Sequence, residues 1–296
     1  MRVFEIRIPP ELEGCTVEQV MRRGLGLSAT RIKRAKFAPD GIRLEGERVF
    51  SDHRVSQGQR LVITLPERDT VVLDQTPGGV DILYEDQWLL VLNKPAGLPV
   101  HPGPGHYADT LGNRLSWVLG QRGEQLPFRP VNRLDKGTSG LMLAAKSAEA
   151  HEALQSLLHT DGFCREYLAL TRRPPQPLRG QIDAPIGPVP GELNRYQVDE
   201  RGKIARTDYD TLEAQGDGAL LRLKLHTGRT HQIRVHLAFL GCPLLGDTEY
   251  GGEPVLDRPA LHSWRVVLRH PFTGESFQWM APLPEDFVKL GWSCHL

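Results

Sequence analysis

The chain is poor in cysteine. Its four, Cys15, Cys164, Cys242 and Cys294, are scattered, and no pair has metal-ligand spacing. That argues against a disulfide scaffold and predicts a reduced, cytoplasmic protein. No apolar run reaches 18 residues, so no membrane span and no membrane partner are expected. The opening "MRVFEIRIPPELEG" alternates charged and apolar residues and does not read as a signal peptide. Net charge is absent as well: 36 Lys and Arg balance 36 Asp and Glu, which argues against a uniformly basic nucleic-acid binder. There is no glycine-rich phosphate cradle, so no nucleotide cofactor is expected. There is no Ser or Cys nucleophile pattern. His231 and His236 have no Glu completing H-E-x-x-H, so no metal is expected, and His231 reads as a capping or packing residue.

The chain's 296 residues suggest about two domains. A hydrophobic fraction of 40% and a charged fraction of 24% are ordinary for a soluble globular protein. Residues 1–67 read as a small unit. "RVFEIRI" alternates as a half-buried strand does. Thr16 caps a helix through Arg23, and Ser28 caps a second, "SATRIKRAKF". "GIRLEGERV" is a hairpin with its turn at Gly46, and "GQRLVITL" is a closing strand. The overall balance hides a local excess: Arg22, Arg23, Arg31, Lys33, Arg34 and Lys36 fall between Gln19 and Phe37 with no acid among them. Such a helix pair is either a solvated surface or a seat for a phosphate backbone. These stretches together resemble the S4 RNA-binding domain, with Glu45-Gly46 where many S4 domains have Asn-Gly.

Residues 68–79 read as a linker. From residue 80 to 296, strand and helix signals alternate, and an α+β domain with a mixed, largely antiparallel sheet is expected. "DTLGNRLSWVLG" is a helix capped by Asp109 and stopped at Gly120; Ser147 caps another. Thr230 caps a third, "RTHQIRVHLAFL".

"VNRLDKGTSGLML" places one acid, Asp135, in a polar turn feeding a buried strand. Loops at the lip of a sheet collect functional residues, although an Asp in a turn commonly caps only its own backbone. Three more stretches stand out: "LLVLNKPAGLPVHPG", "CREYLALT" with Tyr167 in an alternating strand, and "LHTGRTHQIRVHLAFLGCPLLGD". Arg229 sits at the start of the last stretch's helix, where the helix dipole disfavours a cation and an anion such as Asp135 is expected to compensate.

In order and content, the four stretches resemble the RluA family of pseudouridine synthases over most of residues 80–296. The resemblance implies an isomerase converting uridine in RNA to pseudouridine without a cofactor, with Asp135, Tyr167 and Arg229 as catalytic residues. Arg229 would hold Asp135 by a charge-assisted bond, and Tyr167 would stack on the base. Arg133 would grip the flipped nucleotide, with Lys94 and His101 at the entrance and the basic helices binding RNA. The family often has His before Arg-Leu-Asp; here Asn132 stands there and cannot take a positive charge. Large-subunit ribosomal RNA is the expected substrate, and a monomer the expected assembly. Other readings stay open: transfer RNA as target, a non-catalytic ribosome-assembly factor, or a glycoside hydrolase with Asp109 or Asp247 as second acid. Whether Asp135 attacks sugar or base also stays open.

Overall fold

A computed structural model of the chain describes residues 2–27, 29–38, 40–65, 72–103, 105–158, 160–216 and 218–293. Ser28, Cys294 and residues 68–71 of the expected linker lie outside these. The chain divides into two compact units, Met1–Val71 and Val72–Leu296.

In the first unit, strands Arg2–Arg7, Arg60–Leu65, Ile42–Leu44 and Glu47–Arg48 form an antiparallel sheet in that order. Helices Val17–Arg23 and Ala29–Phe37 share its core through Val20, Met21, Ile32, Leu61 and Ile63. Thr16 caps the first helix reciprocally: its Oγ accepts the Gln19 N–H, and Gln19 Oε1 accepts the Thr16 N–H. The hairpin turns on Glu45 and Gly46, with φ of 51° and 88°. Two successive positive φ values are what a two-residue hairpin with the native twist requires.

In the second unit, one sheet of ten strands carries the core. Eight run in the order Arg179–Asp183, Arg206–Gln215, Gly218–Leu225, Phe163–Thr171, Leu261–Arg269, Ser139–Ala145, Leu89–Lys94 and Asp81–Glu85. Ser276–Met280 pairs with Leu261–Arg269, and Arg129–Pro130 with Ser139–Ala145. All pairings are antiparallel except that of Leu261–Arg269 with Ser139–Ala145. Ser139–Ala145 is buried at every position, which explains its unbroken apolar run.

Two helix starts differ from expectation. Thr110, not Asp109, caps Leu111–Gln121, because Asp109 is drawn into a pair with Arg114. That helix also runs one residue past Gly120. The last long helix begins at Gln232, and its cap position is His231, not Thr230. Ser147 caps Ala148–Leu157 as expected.

The single parallel pairing depends on Gly140. It faces Ser263, its φ is +104°, and a Cβ there would lie 2.2 Å from the Ser263 carbonyl oxygen. Gly140→Ala is expected to cost about 3 kcal/mol of stability through combined strain and overpacking. Urea unfolding reads this directly, and a loss below about 1 kcal/mol would contradict the close approach.

Candidate active site

Asp135 sits where the chain turns into Ser139–Ala145. The turn closes by the Thr138 N–H donating to the Asp135 carbonyl at 3.1 Å. The side chain does not cap this turn: among the described residues its carboxylate accepts no hydrogen bond, although it is half-buried. The pocket at the lip of the sheet is lined by Asp135, Tyr167, Arg229, Arg133, His231 and Arg234. Its volume is about 60 Å³.

The structure thus brings Asp135, Tyr167, Arg229 and Arg133 together. Tyr167 is 3% exposed, on the central strand Phe163–Thr171. Burial pushes its phenol above the usual range, opposed by the Arg165 charge and a hydrogen bond with Ser263. Arg133 is exposed. Its charge adds to partial burial in holding His101 below its usual range, and the His101 ring meets Phe128 edge-on at 5.0 Å.

Three expectations need correction. Arg229 does not bond Asp135; its Nε donates to the Ile204 carbonyl at 2.9 Å. The cation most deeply set in this pocket is Arg234. It is 7% exposed, with Nε and Nη2 on the two oxygens of Asp247 at 2.7 and 2.6 Å, and Nη2 also on Glu249 at 2.6 Å. Burial works against its charge. Bonds to Asp247 and Glu249, with Asp135 nearby, outweigh that and hold it above the usual arginine range. Asp247 is therefore a partner of Arg234 and not a second acid, while Asp109 is tied to Arg114. Arg234 was not among the expected site residues; its signal in the sequence is a charge inside "QIRVHLAF", buried from Gln232 to Leu237.

The third correction is Lys94, expected at the entrance. It is fully buried, and Nζ donates to the carbonyls of Pro95, Leu98 and Lys136 at 2.8, 2.9 and 3.2 Å. Burial pushes it down to about 7, with the Asp135 charge opposing. Three carbonyls match the three N–H bonds of an ammonium. Gly97 N–H also donates to the Lys136 carbonyl, and Arg258 Nη1 to that of Gly137. The turn after Asp135 is therefore gripped through its backbone carbonyls.

Asn132 is buried beside this turn. Its Oδ1 accepts the Leu143 N–H at 2.9 Å, and among the described residues its Nδ2 has no partner. In the first unit, Arg22 and Lys36 both reach Glu18, Arg31 lies over Phe4, and Arg23 and Lys33 are exposed. Exposed pairs of this kind are worth little, so the Glu18 contacts do not withdraw those cations from a polyanion.

A family model described as RNA pseudouridylate synthase matches residues 88–239. The RNA pseudouridine synthase YlyB of Bacillus subtilis is 39% identical over 267 residues, covering 88% of each chain. Ribosomal large subunit pseudouridine synthase D of Pseudomonas aeruginosa is 36% identical, covering 96% of this chain and 93% of that one. In structure, human RNA pseudouridylate synthase domain containing 4 aligns with a TM-score of 0.58 and 29% identity, over 70% of this chain and 90% of that one. The chain belongs to the RNA pseudouridine synthase family, isomerases acting on uridine in RNA, and its second unit has their α+β fold. Among the described residues no helix is long and apolar enough to cross a membrane.

Lys94→Met would leave the Pro95 and Leu98 carbonyls without their donor, while Lys136 keeps the Gly97 N–H. An expected loss of about 3 kcal/mol, with the salt dependence of RNA binding unchanged, would fit a clamp. A reduced salt slope with intact stability would restore Lys94 to the RNA surface.

Proposed function

We propose that this chain isomerises specific uridines of large-subunit ribosomal RNA, with Asp135 as the reacting carboxylate. The observation that carries this reading is the free Asp135 carboxylate in the pocket that Tyr167 and Arg234 also line. The relatives named for the ribosomal large subunit support the choice of RNA.

The reaction breaks the N1–C1′ bond, turns the uracil and joins C5 to C1′. The C5 hydrogen leaves as a proton, N1 takes one up, and no electrons are gained or lost. The step requires an ionised carboxylate, either to attack carbon or to stabilise an oxocarbenium-like sugar. Arg234, braced by Asp247 and Glu249, supplies the buried positive charge first assigned to Arg229. Such a charge favours the ionised form of a neighbouring acid. Tyr167 offers its ring to the base and, with burial raising its phenol, enters as a neutral group. Arg229, Arg133 and His101 belong to the rim, where the flanking phosphates pass.

Residues 1–67 act as the S4-like RNA-binding module, joined by the 68–79 segment to the catalytic domain at 80–296. The module raises the local concentration of catalyst on structured RNA. A monomer in the cytoplasm completes the reading.

The test is release of tritium from C5-labelled ribosomal RNA by the purified chain. Asp135→Asn is expected to bind RNA with wild-type affinity and lose at least about a hundredfold in kcat. Residual activity above that level would remove Asp135 from its role. Arg23→Glu with Lys33→Glu is expected to lower the salt slope of RNA binding by about 2. An unchanged slope would mean that this face does not meet phosphate.

A further inference from the structure

We propose that His231 presents an Nε2–H to the pocket as a hydrogen-bond donor for an acceptor oxygen of the bound nucleotide. This rests on the reading of the pocket as the uridine site. His231 has left-handed backbone, φ 56° and ψ 19°, and its side chain makes no capping bond to the helix that it precedes. A bulky residue in that conformation costs on the order of 1–3 kcal/mol and persists only where its surroundings impose it. Here the strain is accompanied by a ring that lines the reaction pocket.

The ring is fixed from behind. Its Nδ1 lies 2.9 Å from Tyr250 Oη, which also accepts the Tyr196 N–H at 3.1 Å. The Tyr196 and Tyr250 rings meet His231 edge-on at 76° and 87°. Tyr250 is held in turn by the Arg234 guanidinium, 4.7 Å over its ring.

This arrangement selects the tautomer. A phenol has one proton to donate. With Tyr196 donating to Oη, the arrangement that uses every group has Tyr250 O–H donate to Nδ1, which leaves the imidazole proton on Nε2. The other tautomer would place two donors on Oη, the Tyr196 N–H and the imidazole Nδ1–H, and leave the phenol proton without this acceptor. Burial pushes His231 below its usual range, against the pull of Asp135, which favours the neutral ring. Among the described residues Nε2 has no protein partner. A fixed donor without a partner on a pocket wall is complementary to an oxygen acceptor. On a uridine nucleotide that acceptor is the uracil O2, the uracil O4 or the ribose 2′-hydroxyl.

Two measurements test this. First, nitrogen-15 NMR of histidine-labelled, ligand-free protein is expected to show His231 protonated on Nε2, and Tyr250→Phe to yield a mixture of tautomers. Protonation on Nδ1 in the wild type, or no change in Tyr250→Phe, would overturn the assignment. Second, kcat/KM is compared between wild type and His231→Asn, which tolerates left-handed backbone. The substrates are synthetic RNA fragments carrying uridine, 2-thiouridine, 4-thiouridine or 2′-deoxyuridine at the modified position. His231→Asn is expected to lose about tenfold on uridine, the size of one hydrogen bond. It should lose far less on the single analogue whose acceptor has been altered. Equal losses on all four RNAs would overturn the donor role. If the wild type isomerises no RNA, the proposed function fails and the acceptor goes with it; the tautomer, read on the protein alone, is decided separately.

Discussion

Two basic side chains, the buried Lys94 and the partly buried Arg258, grip the backbone of the turn that carries Asp135, and the pocket depends on that grip. Lys94 reaches the Lys136 carbonyl, and Arg258 reaches that of Gly137. Charge-assisted bonds to carbonyls are strong in a dry interior. Because backbone oxygens take them, the Asp135 side chain is left free. A conventional ion pair would have fixed the same turn by occupying the carboxylate. Here Lys94 and Arg234 both feel the Asp135 charge without bonding its carboxylate.

The same economy governs Arg234. An unpaired guanidinium at 7% exposure would be costly, and Asp247, 1% exposed, would be costly alone. Together they brace the helix Gln232–Phe239, and Arg234 also packs over Tyr250. Tyr250 then orients His231. A chain of contacts therefore runs from a buried ion cluster to the pocket wall, and each member is placed by the one behind it.

Much of this was legible in the sequence. The unbroken apolar run of Ser139–Ala145 announced a buried strand, and the alternation expected around Tyr167 holds only up to it, since Tyr167 to Thr171 are all buried. Thr16 and Ser147 declared helix starts by local chemistry alone. What stayed hidden required three dimensions. Arg229 drew attention because a helix dipole disfavours a cation at its start, yet the helix begins three residues later and the dipole argument applied to the wrong position. Arg234 finds Asp247 13 residues on, a pairing that no helical spacing predicts. Lys94 was expected at the entrance of the site, whereas the Pro/Gly loop that follows it folds its carbonyls back onto the ammonium. The left-handed backbone of His231 leaves no mark in composition.

The central claim is that this pocket makes pseudouridine in large-subunit ribosomal RNA. The most direct measurement is a pseudouridine map of total RNA from cells with and without the gene, read by carbodiimide-dependent primer-extension stops. The account predicts a stop in large-subunit RNA that disappears on deletion, returns with the wild-type chain and does not return with Asp135→Asn. A map unchanged in every ribosomal and transfer RNA would contradict it.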